Sequence, residues 1–210
     1  MSAGAPPLAL HPPAALARPA PTAAAAHPAA AADESALVEG VRRGDAAAFD
    51  ALAGAYMRRA FAVAYRLLGN REDAEDLVQD AFVAVLRKID TFQAGRGFSP
   101  WFFRILVNRG LNARKSRALR STDEIPVSAA AAGHSPEREA ERAELRGRLA
   151  RAMETLPDRQ RVIVQLFELE GFGGPEIAEI LEISDGTVRW HLHEARKTLR
   201  RALAAYDGKE

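Results

Sequence analysis

Three groups of side chains in this 210-residue chain have the types and spacing to do chemistry. The first is acidic: the stretch REDAEDLVQDAFVAVL holds Glu72, Asp73, Glu75, Asp76 and Asp80 close together. Read as a helix at about 100° per residue, it turns Val78, Ala81, Phe82, Val85, Leu86 and Ile89 inward. Asp76, Gln79, Asp80, Val83 and Arg87 then share the outer side. Carboxylates gathered in this way suit a cationic partner surface, although solvation alone also produces charged faces. Glu72 and Asp73 are explained by their place at the helix start, where the macrodipole favours anions.

The second group reverses the sign. From Thr91 to Thr122 there is no Asp or Glu, but there are Arg96, Arg104, Arg109, Arg114, Lys115, Arg117 and Arg120. They are interleaved with Phe92, Phe98, Trp101, Phe102 and Phe103. On the helix SPWFFRILVNRGLNARKSR the inward stripe is Phe102, Phe103, Leu106, Val107 and Gly110, and the outer face is Trp101, Arg104, Asn108, Asn112 and Lys115. Cations hold phosphates, amides read base edges and an exposed ring stacks, so this face suits single-stranded or melted nucleic acid. The competing reading puts Trp101 in the core and leaves the charges merely solvated.

The third group lies in PEIAEILEISDGTVRWHLHEARKTLRRAL. A short helix from Pro175 to Leu181, a tight turn and a longer helix from near Asp185 have the spacing of a helix-turn-helix. Small Ala178, turn residue Ile183 and buried Val188 let the two helices cross closely. Val188, Leu192, Ala195 and Leu199 form the inner stripe, opposite Arg189, Trp190, His193, Lys197 and Arg200. A cationic face of this kind can neutralise phosphate and reach base edges in a major groove. A helical hairpin with a solvated basic face is the plainer alternative. His191 and His193 are two apart and point about 200° away from each other, so they do not share a metal ion. GFGGPE has neither a preceding strand nor a following Gly-Lys-Ser/Thr and reads as a helix start.

Helices must position all three groups, and helical periodicity does run from Asp33 onward with no alternating strand pattern. The expected fold is all-α: two small helical domains joined by a flexible linker, the second a helix-turn-helix. The expected boundaries are a disordered Ala/Pro-rich tail over 1–33, a first domain over 34–118, a linker over 119–137 and a second domain over 138–205. The formal net charge of +1 favours no partner overall. Without cysteine there is no disulfide, thiol catalysis or cysteine zinc site, which suits a reducing cytoplasm. Prolines interrupt every apolar run of the tail, which argues against a signal peptide. No run approaches the roughly 18 apolar residues of a membrane span, so no membrane insertion is expected.

The ordered set of motifs resembles a bacterial sigma factor of the extracytoplasmic-function (ECF) type. The resemblance covers nearly everything from about Glu39 to Leu203. It rests on EGVRRGDAAAFDAL, LLGNREDAEDLVQDAFVAVLRKIDTF and FSPWFFRILVNRGLNARKSR, then on METLPDRQRVIVQLFELEGF and EIAEILEISDGTVRWHLHEARKTLR. It implies a non-catalytic, cofactor-free subunit that directs core RNA polymerase to promoter DNA. Asp76, Gln79, Asp80 and Val83 match the helix that binds the β′ clamp helices, and the second domain would meet the β flap. Phe92 matches the loop that captures an unpaired −10 base, and Trp101, Arg104, Asn108, Asn112 and Lys115 match the helix on the melting strand. Arg189, Trp190, His191, His193 and Glu194 match −35 readers, with Arg196, Lys197 and Arg200 on phosphates. An anti-sigma factor is a common partner in that family, though no residue here identifies one.

Some positions depart from the family pattern. Glu182 stands at a turn position commonly Gly, so the turn must avoid positive φ or pay for it. Gly174-Pro175 replaces an aromatic and acidic pair, and His191 and Glu194 stand where Arg or Lys is frequent. The main rival is a stand-alone helix-turn-helix regulator, since TVRWHL also looks like response-regulator output domains. An enzyme or a structural scaffold is the more distant reading.

Overall fold

The computed structural model describes residues 31–93, 97–120 and 136–207, and all regular structure among them is helical. The expected tail and linker lie almost wholly outside the described residues. At their edges, helix begins at Ala31, continues to Arg120 and resumes at Pro136.

The first domain comprises α1 (Ala31–Arg42), α2 (Ala46–Leu68), α3 (Arg71–Lys88) and α4 (Phe98–Arg120). A short 3₁₀ turn, Ile89–Thr91, follows α3. Local chemistry sets each boundary. Asp45 accepts from the amides of Ala47 (2.9 Å) and Ala48 (3.2 Å) to start α2, satisfying donors that have no helical partner. Gly69 ends it in the left-handed conformation, φ 80°, its amide donating to the Tyr65 carbonyl. Asn70 then caps α3 by accepting from the Asp73 amide at 2.8 Å.

Close packing depends on small residues at two places. A Cβ on Gly40 would lie 2.5 Å from the Ala48 Cβ, and one on Gly110 would lie 3.0 Å from both Leu67 and Leu77. Glycine therefore lets α1 approach α2, and lets α4 seat between α2 and α3. The core around α4 is aromatic. Phe102 contacts Phe82, Tyr56 and Phe103 with ring centroids 4.9, 5.5 and 5.3 Å apart. Tyr56 donates to Glu34 of α1, and burial, reinforced by that carboxylate, holds its phenol well above the usual range. The inward stripe expected for α4, Phe102 to Gly110, is buried throughout.

The second domain comprises α5 (Pro136–Glu154), α6 (Asp158–Val164), α7 (Gly174–Leu181) and α8 (Asp185–Asp207). Helix α6 runs on into a widened π turn, Gln165–Leu169. Arg161 ties off the end of α5, donating to the carbonyls of Met153, Glu154 and Leu156 at 3.0 to 3.1 Å. Ile163, Leu166, Ile177, Ile180 and Val188 fill the centre. The two domains touch: α4 packs against α7 as well as against its own bundle.

Candidate docking and nucleic-acid surfaces

Helix α3 presents Asp76, Gln79, Asp80 and Val83 to solvent, as its period predicts. The groove below them is closed by α4, whose Arg109, Asn112 and Arg117 line it opposite Asp73, Asp76 and Asp80. Arg109 Nη1 lies 3.3 Å from Asp80 Oδ2, and Arg117 pairs with Asp73. Leu86 departs from expectation, being 48 % exposed rather than packed inward. It lies only about 20° round the helix from Gln79, which is also exposed. Leu86 and Val83 thus add an apolar edge to the acidic strip. Sequence reasoning missed both this edge and the arginines that partly neutralise the acids.

Trp101 also departs from expectation. It is 6 % exposed, not a free stacking surface. The cause is the chain entering α4: Phe92 and Phe98 fold back onto the indole with centroids 5.4 and 5.6 Å away. Phe92 is itself buried, with the Arg42 guanidinium over its ring and Arg42 donating to its carbonyl. The rest of the expected face is divided. Arg104 is half-buried beside Glu182 of the second domain at 3.6 Å, Asn108 is half-buried, and Asn112 opens onto the acidic groove. Asn112 and Lys115 are exposed.

In the second domain α7 and α8 form the helix-turn-helix. The Glu176 carboxylate accepts from the Gly173 amide at 2.7 Å to start α7. Ser184 Oγ accepts from the Thr187 amide at 3.0 Å to start α8. Arg189, Trp190, His193, Arg196, Lys197 and Arg200 are exposed on α8, with Trp190 at 57 %. Arg189, His193, Arg196 and Arg200 line one groove with Phe167 and the start of α7. Asp185 holds Arg189 at 3.1 Å and Glu168 holds Arg196 at 2.9 Å, which orders those guanidinium groups. Glu194 is half-buried, 3.8 Å from Lys197. His191 does not join this face. It lies on the border of the core with Nδ1 buried and without a hydrogen-bond partner.

Two family models match the chain: Sigma-70 region 2 over residues 52–120 and Sigma-70, region 4 over residues 146–199. The ECF RNA polymerase sigma factor SigW of Bacillus subtilis is 31 % identical over 176 residues, covering 79 % of this chain and 94 % of that protein. The chain belongs to the ECF sigma factors. The ECF sigma-E factor of Escherichia coli is likewise 31 % identical, over 79 % of this chain and 92 % of its own length. The structure of CnrH in complex with the cytosolic domain of CnrY superposes with a TM-score of 0.62 at 29 % identity, over 82 % of this chain and 98 % of CnrH. A sigma factor RpoE from Bartonella quintana, solved with the anti-sigma factor NepR, shares the fold with a TM-score of 0.60 at 23 % identity. As an ECF sigma factor, the protein directs transcription initiation and is not an enzyme.

The departures from the family pattern now have structural form. The sigma factor's Glu182 does take the left-handed conformation, φ 53° and ψ 48°, which costs a non-glycine residue about 1–2 kcal/mol. A Cβ at Gly174 would lie 2.4 Å from Asp185 Oδ1, so a side chain there would displace the acid that orders Arg189. Burial first, and then the Arg159 guanidinium, push the His191 imidazole below its usual range. The unfolded chain therefore binds more protons than the folded one. Stability should be full above about pH 6.5 and fall as pH drops through the lowered folded value. Urea midpoints measured from pH 8 to 5 should fall less steeply for His191→Gln than for the parent. Equal slopes would refute the assignment.

Proposed function

We propose that this sigma factor docks on core RNA polymerase through the acidic strip of α3, Asp76, Gln79 and Asp80, with Val83 and Leu86 as its apolar edge. The observation that carries this reading is the division of surfaces: carboxylates and exposed aliphatics face outward on α3, while α8 presents the exposed cations Arg189, Arg196, Lys197 and Arg200. A mixed acidic and apolar strip suits the basic β′ clamp helices, with steering by charge and affinity from the buried aliphatics. The second domain would meet the β flap.

In the same reading Arg104, Asn108, Asn112 and Lys115 of α4 face the melting −10 strand. Trp101 and Phe92 serve it indirectly, as the packed base on which the loop between α3 and α4 stands. Helix α8 enters the −35 major groove, with Arg189, Trp190, His193 and Glu194 toward base edges and Arg196, Lys197 and Arg200 toward phosphates. His191 supports the helix from its core side. CnrH was solved with the cytosolic domain of CnrY and RpoE with the anti-sigma factor NepR, and an anti-sigma factor is a further expected partner here. The protein works where polymerase is, in the cytoplasm; no described helix is long and apolar enough to cross a membrane.

Co-migration of the purified chain with core polymerase tests the docking, and saturable binding is expected. Arg189→Ala should leave that binding intact but weaken the holoenzyme's promoter affinity about tenfold, the scale of one lost bidentate base contact. An electrophoretic titration of holoenzyme on its promoter reads this out, and unchanged affinity would remove Arg189 from the −35 readers.

A further inference from the structure

We propose that Glu170 is the keystone of an intramolecular lock that holds the second domain over the nucleic-acid face of the first and must open before the promoter is engaged. The inference rests on the reading of α4 as the −10 face.

Glu170 sits just past the π turn and is 7 % exposed, one of two buried polar or charged residues among those described. Both of its carboxylate oxygens go to the other domain. Arg59 Nε donates to Oε2 at 3.3 Å, and Arg66 Nη1 donates to Oε1 at 2.6 Å. Arg59 Nη2 also donates to the Glu170 backbone carbonyl at 3.2 Å. The two arginines are seven residues apart on α2 and so share a face. The Arg59 guanidinium further lies over the rings of Phe103, from α4, and Phe172, from the second domain, at 5.1 and 5.0 Å. These rings meet edge to face at 5.1 Å. A carboxylate removed from water persists only if paired and hydrogen-bonded, and here the pairing groups come from the first domain.

Around this point the second domain sets further acids on first-domain cations. Glu182 lies 3.6 Å from Arg104 and Asp158 lies 3.0 Å from Arg114. The carboxylates therefore occupy, on α4, the kind of charge that a phosphate would need. Strand and second domain compete for the same guanidinium groups, and α7 covers part of the same helix. The pairing of buried Glu170 differs in kind from these two, whose carboxylates are exposed: breaking it from one side strands a buried charge, whereas a solvent-exposed carboxylate is readily exchanged.

Glu170→Gln and Arg66→Ala, made separately in the full chain, test the lock from opposite domains. Each is checked for native helix content by circular dichroism, and interdomain extension is measured by small-angle X-ray scattering without polymerase. Both variants should show a larger radius of gyration than the parent. Both should also bind a labelled mixed-sequence single strand of about 20 nucleotides about fivefold more tightly or better, and adding Arg104→Ala should cancel that gain. Well-folded variants with the parent's scattering profile would overturn the lock. Extension without tighter binding would overturn its masking role. If extension and tighter binding occurred but Arg104→Ala cancelled nothing, the assignment of Arg104 to the −10 face would fail while the lock stood.

Discussion

Asp80→Arg should weaken binding to core polymerase by about 10- to 100-fold while leaving the fold intact. The side chain is 70 % exposed on α3, and among the described residues it pairs with Arg109 at 3.3 Å. Removing an exposed pair costs the fold little. At the interface the reversal does more: it removes an attraction to a cationic partner and adds a repulsion, together worth about 1.4–2.8 kcal/mol on the tenfold scale. The second cation also faces Arg109 across the groove, so α3 would present a positive patch where an acidic one stood. Fluorescence titration against core polymerase measures the effect, with Arg189→Ala as the control that retains affinity. If Asp80→Arg bound as tightly as the parent, α3 would not be the docking helix.

Phe102→Ala should destabilise the first domain by about 3–5 kcal/mol, the usual cost of emptying a fully buried aromatic site. Its ring is inaccessible to solvent and touches Tyr56, Phe82, Phe98 and Phe103, so it joins α2, α3 and α4. Loss of the ring leaves a cavity where three helices meet, with little room for one to collapse into it. Urea unfolding monitored by circular dichroism gives the number. A loss below about 1 kcal/mol would show that the neighbouring rings close the gap and that Phe102 is not central to the core.

Much of this was legible in the sequence because it follows from helical period. The inward stripe of α4, the outward Asp76, Gln79, Asp80 and Val83, and the crossing of α7 and α8 all depend on residues within a few turns of each other. The departures at Trp101, Leu86 and Glu170 have a different cause. The position of Trp101 round α4 is correct for the outer face, but it is covered by the rings of Phe92, in the chain leading into the helix, and Phe98, at its first residue. Leu86 borders the apolar stripe and so reads as inward, yet its side chain is largely open to solvent. His191 matches a −35 reader by resemblance, while its position round α8 borders the core and its Nδ1 is buried. Glu170 drew no notice in a segment that reads as a break, since its partners, Arg59 and Arg66, are 111 and 104 residues away. Periodicity gives the direction in which a side chain points; it does not tell what arrives there.

Helix α1 has a consequence for how the first domain assembles. Its Arg42 donates to the carbonyls of Ile89 and Phe92 on one side of the loop into α4, and its Glu34 accepts from the Phe98 amide on the other. Both roots of that loop are thus held by one helix that lies 47 to 64 residues earlier in the chain. Contacts so distant in sequence carry a loop-closure cost that the local helical contacts do not. Ile89, Phe92 and Phe98 keep these hydrogen bonds only while α1 is docked. A fragment cut at the start of the region 2 match, residue 52, would keep most of the helical bundle and lose both anchors. The smallest autonomous unit that can present this loop begins upstream of the homology boundary.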